Sequence, residues 1–147
     1  MKERTAYAKI VNYILREDED CSRHIPLNTL DESIYYALDD GIILSKLILA
    51  IDPNAIDKRK INMKEILNTF EAKINIDLAL EGAAKAGVKL TNIDARVFQN
   101  KQISLILATL WGIIKQWMSK SISQEKIPEL KRLKESARDD LSRLSTE

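Results

Sequence analysis

Apolar side chains recur along much of the chain at spacings of three and four residues, the period of α-helices with one buried face. The most apolar stretch is residues 102–118, QISLILATLWGIIKQWM, in which Lys115 is the only charged residue. An apolar arc this wide is typical of a central helix rather than a surface helix. The positions expected to form its buried face are Ile103, Ile106, Leu107, Leu110, Ile113, Ile114 and Trp117.

Two large apolar residues of this stretch do not fit the buried face. On a helical projection, Leu105 falls nearly opposite the centre of the apolar arc, and Trp111 lies at its edge. One interpretation is that both pack inside the protein. The other is that they belong to a flat, partly apolar recognition surface, since single apolar side chains are common at protein surfaces. The pattern alone leaves both interpretations open.

Three other stretches have the periodicity of helices. Residues 3–16 predict an amphipathic helix, residues 42–51 predict an apolar helix that Pro53 stops, and residues 66–86 predict a long helix with Gly87 as its C-terminal cap. The predicted fold is therefore all-α, with about four main helices and short connecting helices. The apolar positions of the long helix are Phe70, Ile74, Ile76, Leu78, Leu80, Ala83 and Ala84.

Polar residues mark where two helices are expected to begin. Asp39 and Asp40 precede the helix at residue 42, where negative charge suits the helix dipole. Adjacent side chains on a helix point apart, so capping explains this pair better than a catalytic or metal-binding carboxylate pair. Thr29 and Glu32 have the spacing of a capping box, which predicts a helical turn near Leu30.

Length and composition divide the 147 residues into two parts. Residues 1–120 are expected to form one domain, and residues 121–147 a charged helical extension or inter-domain linker. The apolar stripe of the extension can dock back on the domain, continue toward a neighbouring domain, or pair as a short coiled coil. Its members are Ile127, Leu130, Leu133, Ala137, Leu141 and Leu144.

Charge, apolar run length and cysteine content indicate which partners and which cellular compartment to expect. With 23 basic and 22 acidic residues intermixed, the net charge is only +1, which argues against nucleic-acid binding by phosphate neutralisation. Apolar runs are shorter than the ~20 residues needed to span a membrane, and the charged N-terminus does not resemble a secretory signal. A single cysteine fits a reducing compartment, so a cytoplasmic location is expected.

The residue types that carry catalysis or bind metals are scarce. Cys21 and His24 are the only cysteine and the only histidine, too few for a zinc site, and a catalytic thiol–imidazole pair is disfavoured in such a loop. We therefore expect no catalytic residue, no metal and no cofactor. The basic run Lys58–Lys60 is expected to be a solvated loop, with recognition of an acidic partner as the alternative.

Several stretches, in this order and spacing, resemble a calponin homology (CH) domain, an all-helical module of the cytoskeleton. The resemblance is closest to the first CH domain of the fimbrin/plastin family of actin-bundling proteins, and it covers residues 3 to about 135. It is carried by DDGIILSKLI (39–48), AIDKRKIN (55–62), INIDLALEGAAKAG (74–87), LILATLWGIIK (105–115) and PELKRL (128–133).

The resemblance implies an actin-filament-binding module with two binding helices, part of cytoskeletal cross-linking or bundling. On the first helix it implies Lys9, Asn12, Tyr13 and Arg16; on the central helix it implies Gln102, Ser104, Leu105, Ala108, Thr109 and Trp111. It also implies that a neighbouring CH domain, where one is present, packs near the tryptophan.

The chain departs from the family pattern in three respects. Gln102 stands where a basic residue is usual, and Ala108 stands where a glycine is usual. Fimbrins also carry four CH domains and calcium-binding hands, whereas this chain has one CH domain. Two alternatives therefore stand beside actin binding: a lone domain that acts as a scaffold or regulatory module, and a microtubule-binding domain, for which Lys58–Lys60 is the only basic cluster.

Overall fold

The computed structural model describes residues 2–122, which form α-helices and two short 3-10 helices without any β-strand. The predicted all-α class is confirmed. The extension at residues 123–147, with its apolar stripe, lies outside the described residues. The helices are α1 (Lys2–Ile14), α2 (Ser33–Ala37), α3 (Ile42–Ile51), α4 (Thr69–Lys85), α5 (Ala95–Gln99) and α6 (Ile103–Ile122), and the 3-10 helices are Glu19–Cys21 and Lys58–Lys60.

Helix α6 is a central element of the fold, as its sequence predicts. It packs against α1, α3 and α5 and continues to Ile122, two residues past the predicted domain boundary. Six of the seven positions assigned to its buried face are buried, and only Ile103, the first residue of the helix, remains 36% exposed. The apolar arc of α6 is wide because three other helices, α1, α3 and α5, contact it.

Helix α3 forms the other half of the core. Nine of its ten residues are buried, because α1, α4 and α6 all contact it. The helix starts after Gly41, whose φ is +76°, and a Cβ there would lie 2.6 Å from the backbone nitrogen of Ile76.

The capping predicted for Asp39 and Asp40 holds only in part. The N-cap is Gly41, and Asp40 Oδ1 accepts a hydrogen bond from the backbone N–H of Ile42. Asp39 instead pairs with the Lys101 ammonium at 2.9 Å.

Helix α4 begins three residues later than predicted. Asn68 and Glu71 form a capping box, in which each side chain accepts a hydrogen bond from the other residue's backbone N–H. The helix ends before Gly87, which has the positive φ of +91° expected of a C-terminal cap. Three of the apolar positions predicted in this helix are exposed: Phe70 by 69%, Ile74 by 45%, and Ala84.

Asn75 is a polar residue in the interior that holds three segments together. Its side chain is fully buried; its amide donates to the carbonyls of Asp40 (3.0 Å) and Asn62 (2.9 Å), and its Oδ1 accepts from the backbone N–H of Asn62 (2.9 Å). Burial of a polar side chain is tolerated here because its hydrogen-bonding groups find partners. The residue thus links α4 to the start of α3 and to the preceding loop.

The predicted capping box at Thr29 and Glu32 is wrong. Helix α2 begins at Ser33, whose backbone N–H donates to Oδ1 of Asp31, and the side chain of Glu32 makes no capping hydrogen bond. The hydroxyl of Thr5 instead bonds the carbonyl of Thr29, so this segment lies along α1. The local spacing was overridden by this contact with a distant part of the chain.

Candidate functional site

Helices α1 and α6 pack side by side and run in the same direction. Tyr7 stacks on Trp111 with ring centres 6.4 Å apart and planes at 9°, and Tyr13 meets Trp117 edge to face at 6.3 Å. The two contacts are separated by six residues on each helix, which gives the parallel direction. Aromatic pairs of this kind stabilise a helix contact beyond their buried area. The predicted binding residues of the two helices therefore belong to one helix pair.

The outer side of α6 presents a mostly polar surface around Leu105, and Ile103 at the start of the helix is exposed to the same degree. Gln102, Ser104 and Ala108 are exposed, and Leu105 is 36% exposed among them. Leu105 is therefore a surface residue, as the recognition interpretation expects. It has polar neighbours on its own helix and is positioned by a helix whose opposite face is fixed in the core.

Trp111 is half-buried. Its indole ring stacks on Tyr7 on one side, and the Lys115 ammonium lies 5.9 Å from the ring centre. A groove of about 440 Å³ lies in front of it between α1 and α6. The groove is lined by Glu3, Tyr7, Ser104, Leu107, Ala108 and Trp111.

Thr109 does not belong to this surface, and its assignment as a binding residue is corrected. The side chain is fully buried, and its hydroxyl donates to the backbone carbonyl of Leu105 at 2.7 Å. The reason is helical geometry: Thr109 lies three residues after Ile106 and four before Ile113, both of which face the core. Its hydroxyl donates its proton within the helix and is therefore not available to donate to a partner.

The predicted residues of α1 divide into two exposed and two structural side chains. Lys9 and Arg16 are exposed. Asn12 is half-buried and bonds the backbone of Leu27 twice, its Nδ2 donating to the carbonyl (3.0 Å) and its Oδ1 accepting from the N–H (2.6 Å). Its amide is therefore engaged within the chain, and its role in actin binding stays a prediction. Tyr13 is half-buried against Trp117, with the Arg16 guanidinium 4.1 Å from its ring centre.

Sequence reasoning missed Glu3, Tyr7 and Leu107 as residues of the groove. Tyr7 is buried, and its burial, reinforced by the nearby Glu3 carboxylate, raises the pKa of its phenol to about 12. Its spacing of four residues from Val11 is a signal that would have placed it on the inner face of α1. The spacing does not, however, show that Tyr7 contacts Trp111 on α6.

The remaining candidate reactive groups serve the fold. Cys21 is buried, and that burial raises the pKa of its thiol to about 12, so the thiolate form is scarce at neutral pH. His24 Nε2 lies 2.6 Å from Asp40 Oδ2. The Lys46 ammonium bonds Asp20 Oδ2 at 2.6 Å, and this hydrogen bond lowers the pKa of the Asp20 carboxyl. The Lys46–Asp20 contact fastens the 3-10 helix at Glu19–Cys21 to α3, and the His24–Asp40 contact joins the following loop to the residue before Gly41.

Residues 2–122 contain no cluster of three or more histidine, cysteine, aspartate or glutamate side chains suited to hold a metal ion. In the same range, none of the helices combines the length and the apolar character required to cross a membrane.

Comparison with known proteins identifies the family. Residues 2–119 match the family profile of the calponin homology (CH) domain, and the chain belongs to this family. Plastin-1 of mouse and of human are each 39% identical to it over 114 residues, and plastin-3 of zebrafish is 37% identical. These matches cover 78% of this chain but only 18% of each plastin, so the chain spans about a fifth of the length of these relatives.

The fold also resembles a solved fimbrin structure. The crystal structure of the actin-crosslinking core of Schizosaccharomyces pombe fimbrin matches with a TM-score of 0.74 and 33% sequence identity, over 80% of this chain and 25% of that chain. The sequence relatives and this structure agree that the chain is a CH domain of the fimbrin/plastin type.

Proposed function

We propose that this chain is a non-catalytic actin-filament-binding module that acts in the cytoplasm as part of cytoskeletal cross-linking. Family membership and the likeness to the actin-crosslinking core of a fimbrin support the class of partner. The observation that carries the proposal is the exposure of Leu105 on the outer side of α6, beside the groove that Tyr7 and Trp111 hold between α1 and α6.

The proposed mechanism is docking of the α1–α6 pair on the filament, with Leu105 as the apolar anchor. Gln102 and Ser104 form part of a polar rim around it, and the small side chain of Ala108 allows close approach. Anchors of this kind contribute most of the binding energy when a rim excludes water from them. The exposed cations Lys9 on α1 and Arg16 in the turn after it extend the contact and favour an acidic partner surface.

The groove in front of Trp111 is the proposed site for a neighbouring CH domain in a longer protein. Its aromatic wall and its position beside Leu105 mean that a domain bound there covers part of the filament-binding surface. Such a domain and the filament therefore compete for the α1–α6 pair.

Cosedimentation with actin filaments tests the proposal. At roughly 20 μM the full chain should pellet with filaments, because a single surface of modest area gives affinity in the micromolar range. Leu105→Ser should weaken binding about tenfold and destabilise the domain by about 1 kcal/mol or less, since the side chain is partly exposed. Wild-type chain that stays in the supernatant, while a tandem plastin fragment pellets, would show that direct binding is wrong.

Phe70→Ser is the matched control for this experiment. Phe70 is also a large exposed apolar residue on a long helix, but it lies on α4, which packs on α3 and α5 rather than on α1. Its replacement should leave filament binding unchanged. Equal loss of binding in both variants would indicate a general effect of removing surface apolar area.

Two alternatives are tested in parallel. Lys58 to Lys60 are exposed, as a microtubule-binding role requires, but Arg59 is engaged by the Asp57 carboxylate at 3.0 Å, which reduces the available positive charge. Cosedimentation with microtubules should therefore be weak. A scaffold function would appear as full retention of fold with no pelleting on either polymer.

A further inference from the structure

The turn between α5 and α6 contains a lysine in a backbone conformation that favours glycine. Lys101 has a φ of +54°, and within residues 2–122 the only other non-glycine residue with a positive φ is Asn92. Strained residues of this kind concentrate at functional sites, where the surrounding structure holds them in place. Lys101 directly precedes Gln102, the first α6 residue of the proposed filament-binding surface.

Backbone hydrogen bonds identify this turn as a Schellman motif, a common left-handed end of an α-helix. The N–H of Gln102 donates to the carbonyl of Val97 (3.0 Å), and the N–H of Lys101 donates to the carbonyl of Phe98 (3.4 Å). These are the two bonds of the motif, and Lys101 occupies the position that is usually glycine. Glycine would adopt this backbone with less strain, so what distinguishes Lys101 is its side chain.

The Lys101 side chain ties the turn to a distant segment of the chain. Its ammonium lies 2.9 Å from Oδ2 of Asp39, 62 residues away, and donates to the carbonyl of Phe98 at 3.2 Å. The same ammonium lies 5.2 Å from the ring centre of Tyr36 on α2. Contacts with α5, with α2 and with the turn after α2 therefore fix the position of Lys101.

Helix α6 begins at this anchored turn. The carbonyl of Gln102 accepts hydrogen bonds from the N–H groups of Leu105 (3.1 Å) and Ile106 (3.0 Å), which close the first turn of the helix. The ends of helices fray more readily than their interiors, because their backbone groups lack part of the helical hydrogen bonding. Anchoring the residue before Gln102 therefore limits the movement of this first turn.

We infer that Lys101 is a positioning residue for the proposed filament-binding surface. Its bond to Asp39 holds the first turn of α6 against the segment between α2 and α3. The direction in which Gln102, Ser104 and Leu105 face is thereby fixed before a partner binds. A surface that is already ordered loses less conformational entropy on binding. The effect on filament binding rests on the proposed function, whereas the anchoring of α6 does not.

Hydrogen exchange of the full chain without actin tests the anchoring. Asp39→Asn removes the ion pair with little change of shape, and Lys101→Gly removes the side chain while relieving the strain of the positive φ. In both variants the amide hydrogens of Leu105 and Ile106 should exchange about threefold to fivefold faster, the factor that a partly exposed ion pair contributes to an equilibrium. The amide of Ile114, deep in α6, should change less. Unchanged exchange at Leu105 and Ile106 would overturn the inference.

Cosedimentation with actin filaments tests the consequence for binding. Asp39→Asn and Lys101→Gly should each weaken binding about threefold to fivefold, and the double variant little further, because both changes remove the same contact. Lys101→Arg should retain binding, since it keeps a positive charge opposite Asp39. The matched control is Asp77→Asn, which breaks the 2.7 Å ion pair between Lys73 and Asp77 on α4 and should leave binding unchanged.

Other outcomes contradict the inference in distinguishable ways. If Lys101 contacts the filament directly, Asp39→Asn releases its ammonium and binding is unchanged or tighter. If Lys101 serves only the stability of the fold, Lys101→Gly lowers the melting temperature and accelerates exchange equally along α6. We expect a melting temperature near that of the wild type, because relief of the positive φ offsets the lost ion pair.

The two experiments also separate this inference from the proposed function. Faster exchange at the start of α6 with unchanged filament binding in both variants shows that Lys101 anchors the helix but does not position the binding surface, which overturns the inference. A wild-type chain that does not pellet with filaments contradicts the proposed function. The exchange of Leu105 and Ile106 still decides in that case whether Lys101 anchors α6.

Discussion

The two longest helices, α4 and α6, bury different kinds of side chain. The inner face of α6 is lined with large apolar side chains such as Leu110, Ile114 and Trp117. Helix α4 buries one large apolar side chain, Ile76, and otherwise mostly small ones such as Ala79 and Ala83 and the polar Asn75. On the outer faces, the large apolar residue of α4 is the more exposed one: Phe70 is 69% exposed, whereas Leu105 on α6 is 36% exposed.

The difference shows that the apolar character of a position does not by itself set its burial. Helix α6 is surrounded by α1, α3 and α5, so most of its apolar positions find partners. Helix α4 contacts mainly α3 and α5, and within the described residues 2–122 no helix covers Phe70 and Ile74 in its first turns. The inner face of each helix maintains the fold, and the outer face is available for partners.

The largest effect is expected for the interior of α6. Leu110→Ala should destabilise the domain by about 3–4 kcal/mol, because the fully buried side chain leaves a cavity that its neighbours cannot fill. Leu105→Ala on the same helix is the control and should cost about 1 kcal/mol or less. Urea unfolding measures both, and equal losses would contradict the assignment of Leu105 to the surface.

The interior of α4 depends on the hydrogen bonds of Asn75 as well as on its buried apolar side chains. Asn75→Ala should destabilise the domain by about 3 kcal/mol, because it removes three hydrogen bonds and leaves the buried N–H and carbonyl of Asn62 unpaired. Ile74→Ala at the preceding position should cost about 1 kcal/mol or less, since that side chain is largely exposed. Similar unfolding midpoints for the two variants would show that the Asn75 hydrogen bonds contribute little.

A smaller effect is expected at the boundary between the two faces of α6. Trp111→Ala should lower the free energy of unfolding by about 2 kcal/mol, because the ring is half-buried and loses its stack on Tyr7. Trp111→Phe should restore most of this stability by keeping the aromatic contact. A melt of Trp111→Ala that equals the wild type would mean that the indole contributes nothing to the α1–α6 contact.

The smallest effect is a dependence on alkaline pH. The pKa of Tyr7 is raised from 10.0 to about 12 in the folded chain, so its phenol ionises more readily when unfolded. The contribution of Tyr7 is present in full below pH about 10 and is lost as pH rises toward about 12, on the order of 1–2 kcal/mol. Tyr7→Phe should remove this part of the alkaline decline. An identical decline in both proteins would assign it to other groups, such as Cys21.

The sequence by itself determined the helices and much of the core. Periodicity located α1, α3, α4 and α6, and Gly87 marked the end of α4. It also placed Leu105 outside the buried face of α6 and Trp111 at its edge, where the structure has them. These features depend on local geometry: side-chain direction repeats with the helical period, and glycine alone tolerates a positive φ easily.

Only the tertiary structure decided which polar and apolar groups are free to meet a partner. Asn12 and Thr109 are both occupied by hydrogen bonds, Asn12 to Leu27 fifteen residues away. Tyr7 became part of the groove because α1 lies against α6, and Phe70 is exposed because none of the helices within residues 2–122 covers it. A helical period says which residues share a face. What covers that face depends on segments distant in the chain, and those contacts have no local signature.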